Sequence, residues 1–72
     1  MPNETLLAEA ANGQDPAQGL RAVRALRELA ERLENLQVTN ARTHGWSWQE
    51  IAAFLGVSKQ AVHKKHARRL GQ

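Results

Sequence analysis

Leu26, Leu29, Leu33 and Leu36 recur at a 3-4-3 spacing, which Ala22 extends backwards and Asn40 forwards. A repeat averaging 3.5 residues is that of a helix keeping one narrow stripe toward a partner. No cluster of Ser, Gly or Pro interrupts residues 17–44, so the pattern predicts one long helix. Asp15 is suited to cap its start and Pro16 to its first position. From 16 to 44 such a helix would be roughly 43 Å long. Its far side carries charge pairs four apart, Arg24 with Glu28, Arg27 with Glu31 and Glu28 with Arg32, which suit a solvated face. Val38 and Thr39 are poor helix formers and mark the weak point of this helix.

A helix of that length overhangs anything the rest of a 72-residue chain can build against it. The overhang, with Leu26 and Leu29 on it, requires a cover. The seam Ala22, Leu26, Leu29, Leu33 and Leu36 is therefore the expected interface of a homodimer. The alternative cover is upstream. Residues 1–14 read as a short N-terminal helix and turn, with Asn3 as cap, Leu6, Leu7, Ala10 and Ala11 at helical spacing, and Gly13 as stop.

The stretch "HGWSWQEI", residues 44–51, holds both tryptophans. Gly45 tolerates the left-handed backbone that ends a helix. Ser47 and Glu50 form an S-x-x-E capping box for the next helix. Trp46, just before the cap, and Ile51, at the fourth helical position, are placed as a hydrophobic staple. Trp48 falls at the first helical position, which is usually more exposed; partial burial against the neighbouring helix is the reading expected for it, beside a role at phosphate.

Residues 47–70 then carry the spacing of a helix-turn-helix. Ile51, Ala52 and Leu55 make the inner face of its first helix, Gly56 the turn, Val57 the angle, Ser58 the second cap and Val62 the inward anchor. "GWSWQEIAAFLGVSKQAVHKKHARRL" resembles the helix-turn-helix of region 4 of bacterial sigma factors and of small single-motif actinobacterial regulators. The resemblance covers residues 45–70. It implies a bacterial DNA-binding protein whose second motif helix, at 58–70, enters the major groove. The chain departs from the pattern at Lys65, where such motifs usually carry an apolar residue. The expected fold is all-α in a single domain: a short helix and turn over 1–14, a long helix over 15–44 and the helix-turn-helix over 47–70.

The charge distribution points to the same chemistry. Residues 1–57 hold all seven acids and five arginines, net −2, whereas residues 58–72 hold five Lys/Arg and no acid, net +5. Such a concentration suits a polyanion. With Val62 inward and about 100° per residue, His66 and Arg69 lie near the inner side. Gln60, Lys64 and Ala67 point outward, flanked by His63 and Arg68. Gln60 is placed to pair with adenine and Ala61 to touch a thymine methyl. Lys59, His63 and Lys64 are placed for guanine or phosphate. Lys65, Arg68 and Arg69 are expected phosphate clamps, with Ser58 as a further donor. At the start of the first motif helix, the Trp48 indole N–H and Gln49 are expected at phosphate.

The expected partners are double-stranded DNA, a second copy of the chain, and RNA polymerase or another regulator. The rival is a protein-interaction module using the leucine seam or the motif surface; the polar set Gln60, His63, Lys64 and Arg68 favours DNA, since protein partners more often meet apolar or aromatic anchors. His63 and His66 stand three apart on a helix, but neighbouring Lys and Arg repel a cation, so no metal or other cofactor is expected. No Ser/His/Asp set, paired carboxylates or glycine-rich phosphate loop points to an enzyme. The apolar runs are too short to span a bilayer, and the basic helix lacks a broad apolar face for a membrane surface. No basic region precedes the apolar residues of "MPNETLLAEA", and there is no cysteine, so the expected location is the cytoplasm.

Overall fold

Asp15 opens the first helix: its Oδ1 accepts from the Ala17 amide at 3.0 Å. The computed structural model describes residues 15–71, which form three helices and no strand among the described residues. These are α1 (Pro16–Thr43), α2 (Trp48–Leu55) and α3 (Lys59–His66). The short helix expected within residues 1–14 lies outside the described residues. The chain divides into two compact units inside α1, between Leu33 and Glu34.

α1 runs unbroken for 28 residues, as the long helix was expected to, and continues through its weak point at Val38 and Thr39. Tertiary burial overrides the weak propensity there. Val38 is among the most deeply buried side chains, and the Thr39 hydroxyl donates to the Asn35 carbonyl one turn back at 2.9 Å. The helix stops at a left-handed Gly45, φ +84°. The Trp46 amide reaches back to the Ala41 carbonyl and the Gly45 amide to Arg42, each at 3.0 Å. That pair of bonds is a Schellman motif, which consumes carbonyls otherwise left without donors.

The next helix begins as expected. The Ser47 hydroxyl accepts from the Glu50 amide at 3.1 Å, and Glu50 Oε1 accepts from the Ser47 amide at 2.9 Å. Gly56, φ +73°, ends α2, with its own amide and that of Val57 both directed to the Ala52 carbonyl. Ser58 caps α3 by accepting from the Ala61 amide at 3.1 Å.

α3 is shorter than the expected helix at 58–70. Beyond His66 the chain tightens into three-residue turns, Leu70 to Ala67 and Gly71 to Arg68. Ala67, expected to point outward, is buried: the covered side of α3 is broader than Val62 alone and takes in His66 and Ala67. The core of this unit is Val38, Trp48, Ile51, Ala52, Val62 and Ala67, with Ala41, Trp46 and Leu70 packed against it.

α1 meets that core with the Val38 side, not with the leucine seam. At about 100° per residue, Leu36 and Leu33 lie roughly 160° and 140° around the helix from Val38. They are correspondingly exposed, Leu36 at 68% and Leu33 at 54%, whereas Leu26 and Leu29 are half-buried and Ala22 is buried. The uncovered leucines are thus in the second half of the seam and not the first, as the overhang argument had it.

Candidate nucleic-acid interface

Capping at Ser58 leaves the amides of Lys59 and Gln60 without intrahelical acceptors, the usual state of a helix start. The side chains that follow divide into two groups. Lys59, Gln60, Ala61, His63, Lys64 and Arg68 are exposed, while Val62, His66 and Ala67 are buried. No acid occurs from residue 58 onwards, so the polar members of the exposed group, Lys59, Gln60, His63, Lys64 and Arg68, include no side-chain carboxylate.

Two of the expected phosphate clamps are directed elsewhere. Arg69 turns back onto α1: Nη1 donates to Thr39 Oγ1 at 2.8 Å, and Nη2 to the Asn35 carbonyl at 3.3 Å and to His66 Nδ1 at 3.1 Å. Lys65 Nζ lies 2.9 Å from Glu34 Oε2. The same carboxylate oxygen is 2.7 Å from His66 Nε2. A guanidinium has only donors, so His66 Nδ1 accepts, and Nε2 carries the proton given to Glu34. His66, 1% exposed, has both ring nitrogens used in this way.

Burial alone would raise the Glu34 pKa. The Lys65 ammonium and the His66 ring, both hydrogen-bonded to the carboxylate, outweigh it and hold Glu34 below the usual glutamate range. Lys65 therefore solves the departure from an apolar pattern noted above. Its ammonium pairs with α1, and His66 and Ala67 fill the core instead. Glu34 itself was missed from sequence, although a signal was present. It has no basic residue three or four positions away along α1, so its partner had to come from another element.

Trp48 is buried, 8% exposed, despite its place at the first position of α2. The Arg42 guanidinium carbon stands 4.8 Å from its ring centroid, and the His63 ring meets it edge-on at 5.4 Å. Arg42 Nη1 also donates to the Trp46 carbonyl at 2.6 Å, so one guanidinium holds both tryptophans. Trp46 packs against the core and pairs with Phe54 at 5.2 Å. Among the described residues no acceptor takes the Trp48 indole N–H, and no buried polar side-chain atom lacks a partner. That N–H is therefore at the surface of an otherwise buried ring. Gln49 beside it is exposed. The Glu50 carboxyl is held below its usual range by the backbone N–H of Ser47, then by its hydroxyl.

The structure thus places Gln49, Ser58, Lys59, Gln60, Ala61, His63, Lys64 and Arg68 at the surface, with Trp48 contacting His63. It draws Lys65 and Arg69 toward α1. Comparison with family models, with curated proteins and with solved structures finds no match to this chain. Among the described residues no helix is long and apolar enough to cross a membrane.

Proposed function

We propose that this chain is a sequence-specific duplex-DNA-binding protein that regulates transcription in the cytoplasm of a bacterium. α2, the Gly56 turn and α3 act as a helix-turn-helix, and α3 enters the major groove. The observation that carries this reading is the exposed side of α3, where Lys59, Gln60, His63, Lys64 and Arg68 stand together without an acid. An amide near the helix start is suited to the edge of adenine, and Lys64 to the acceptors of guanine. Lys59, Arg68 and the Ser58 hydroxyl supply backbone contacts, which position the protein without reading sequence. The Trp48 indole N–H and the Gln49 amide would meet phosphate where the first motif helix crosses the strand. The chemistry is binding only, with no reaction and no cofactor. RNA polymerase or another regulator is the partner class through which a bound site would alter transcription.

Titration of duplex DNA across a range of salt tests this reading. Two cationic phosphate contacts, Lys59 and Arg68, correspond to a log–log slope of about −2 per chain. Arg68→Ala should reduce that slope by about one and weaken all sequences alike. Arg69→Ala, in contrast, should lower thermal stability and leave the slope nearly unchanged, since its guanidinium is spent on Thr39, Asn35 and His66. A salt-independent affinity would refute the DNA reading. Gln60→Ala should cost roughly tenfold at the best site and relax preference at one base pair. Unaltered preference at every position would show that α3 is oriented differently in the groove.

A further inference from the structure

All three histidines of the chain lie within residues 34–72, and two of them are committed there. His44 Nδ1 lies 2.8 Å from the Asn40 carbonyl one turn back. His66 uses one ring nitrogen on Glu34 and the other on Arg69. His63 differs from both. It is exposed, and its ring nitrogens make no hydrogen bond among the described residues. Its one ring contact is with Trp48, nearly perpendicular at 82° and 5.4 Å between centroids. Trp48 is itself fixed, in the core and beneath the Arg42 guanidinium. The imidazole thus stands against a rigid neighbour, with both nitrogens unused.

The charges around that ring are of one sign. Residues 34–72 hold two side-chain carboxylates, Glu34 and Glu50. Glu34 is bonded to Lys65 and His66, and Glu50 accepts from the Ser47 amide at the start of α2. On α3 itself, Lys59 precedes His63 by one turn and Lys64 follows it directly. From α1 comes Arg42, over the same indole. α2 brings Trp48 and the uncharged Gln49. No group of this unit supplies the ring with an anion, and a phosphate of bound DNA would be the first. Phosphate favours the imidazolium, which has two N–H donors and a charge for it.

We infer that duplex binding takes up a proton at His63, so that the complex tightens as pH falls. The inference rests on the DNA reading. A phosphate of the strand that meets the Trp48 indole N–H accepts from one ring nitrogen of His63. The other nitrogen takes a proton from the buffer, and no other bond is made or broken. Linkage is reciprocal: a ligand that favours the protonated ring is bound more tightly by it. Imidazole side chains change charge between about pH 5 and 8, so the coupling belongs to that range.

A mixed-sequence duplex is a sufficient probe, because a phosphate contact carries no sequence information. Affinity and salt slope are measured at about pH 5.5 and about pH 8, both above the range in which Glu34 titrates. The wild type should bind at least about fivefold more tightly at the lower pH, the low end of usual couplings. Its log–log slope should be steeper there by about 0.9, one further cation. Calorimetry near neutral pH, in two buffers of different ionisation enthalpy, should register proton uptake on binding. His63→Gln should lose that uptake and keep the shallower slope at both pH values. His63→Lys, a fixed cation at the same place, should show the steeper slope at both. His44→Gln should keep the wild-type response. Binding with one affinity and one slope at both pH values, or a pH response that survives His63→Gln, overturns the coupling and leaves the DNA reading standing. Absence of binding at every salt and pH overturns the DNA reading and the coupling with it.

Discussion

Trp48→Ala should destabilise the chain by about 3–5 kcal/mol, the usual cost of removing a large buried aromatic. The indole is at once a core residue, the surface under the Arg42 guanidinium and the partner of the His63 ring. Its loss leaves a cavity where α2 meets α1 and α3. Small domains have only about 0.05–0.15 kcal/mol per residue in hand, so such a cost approaches the whole. Urea or thermal denaturation followed by far-UV circular dichroism should show an early or absent transition. Phe54→Ala, at an exposed ring, should leave the stability of a single chain nearly unchanged. A Trp48→Ala loss below about 1 kcal/mol would mean that the ring is not a core element.

His66→Ala should cost roughly 2–4 kcal/mol, combining a cavity with hydrogen bonds left unmade at Glu34 and Arg69. Its acid response should change as well. The folded pKa of Glu34 lies below its ordinary value of 4.5. The carboxylate therefore contributes stability that is present above that value and lost as pH falls through the lower, folded value. Wild-type melting temperature should fall in that window. Glu34→Gln should start lower and show a shallower acid slope, the remainder coming from Glu50, whose carboxyl is depressed in the same direction. Equal acid slopes in the two proteins would show that the Glu34 bonds contribute nothing.

What could be read from the sequence was local. The capping box at Ser47 and Glu50, the left-handed turns at Gly45 and Gly56, and the cap at Ser58 each involve residues within a few positions of one another, and each is present. The three-helix course of residues 15–71 follows from those signals. The fate of individual side chains did not. Trp48 reads as partly buried against the neighbouring helix, but its contacts with Arg42 and His63 are not legible from its position. Glu34 and His66 are separated by 32 positions, beyond any periodic signal. The choice between the Val38 side and the leucine side of α1 depends on which of two plausible stripes α2 and α3 meet. Leucine spacing misleads there because it is the more regular of the two. Ala67 reads as outward when Val62 alone defines the inner side of α3; the buried side is broader and takes in His66 and Ala67 as well.

The connection from α1 to α2 has no spare length. Four residues separate Thr43 from Trp48. His44 and Gly45 complete the stop of α1, Trp46 packs on the core, and Ser47 starts α2. Surface connections usually absorb insertions and deletions in the course of descent. Here an added residue would part the Trp46 carbonyl from Arg42 or Ser47 from the turn that aims it, and a lost one would remove a cap. Chains sharing an ancestor with this one should therefore differ in the identity of residues 44–47 far more readily than in their number, and should align across that segment without a gap.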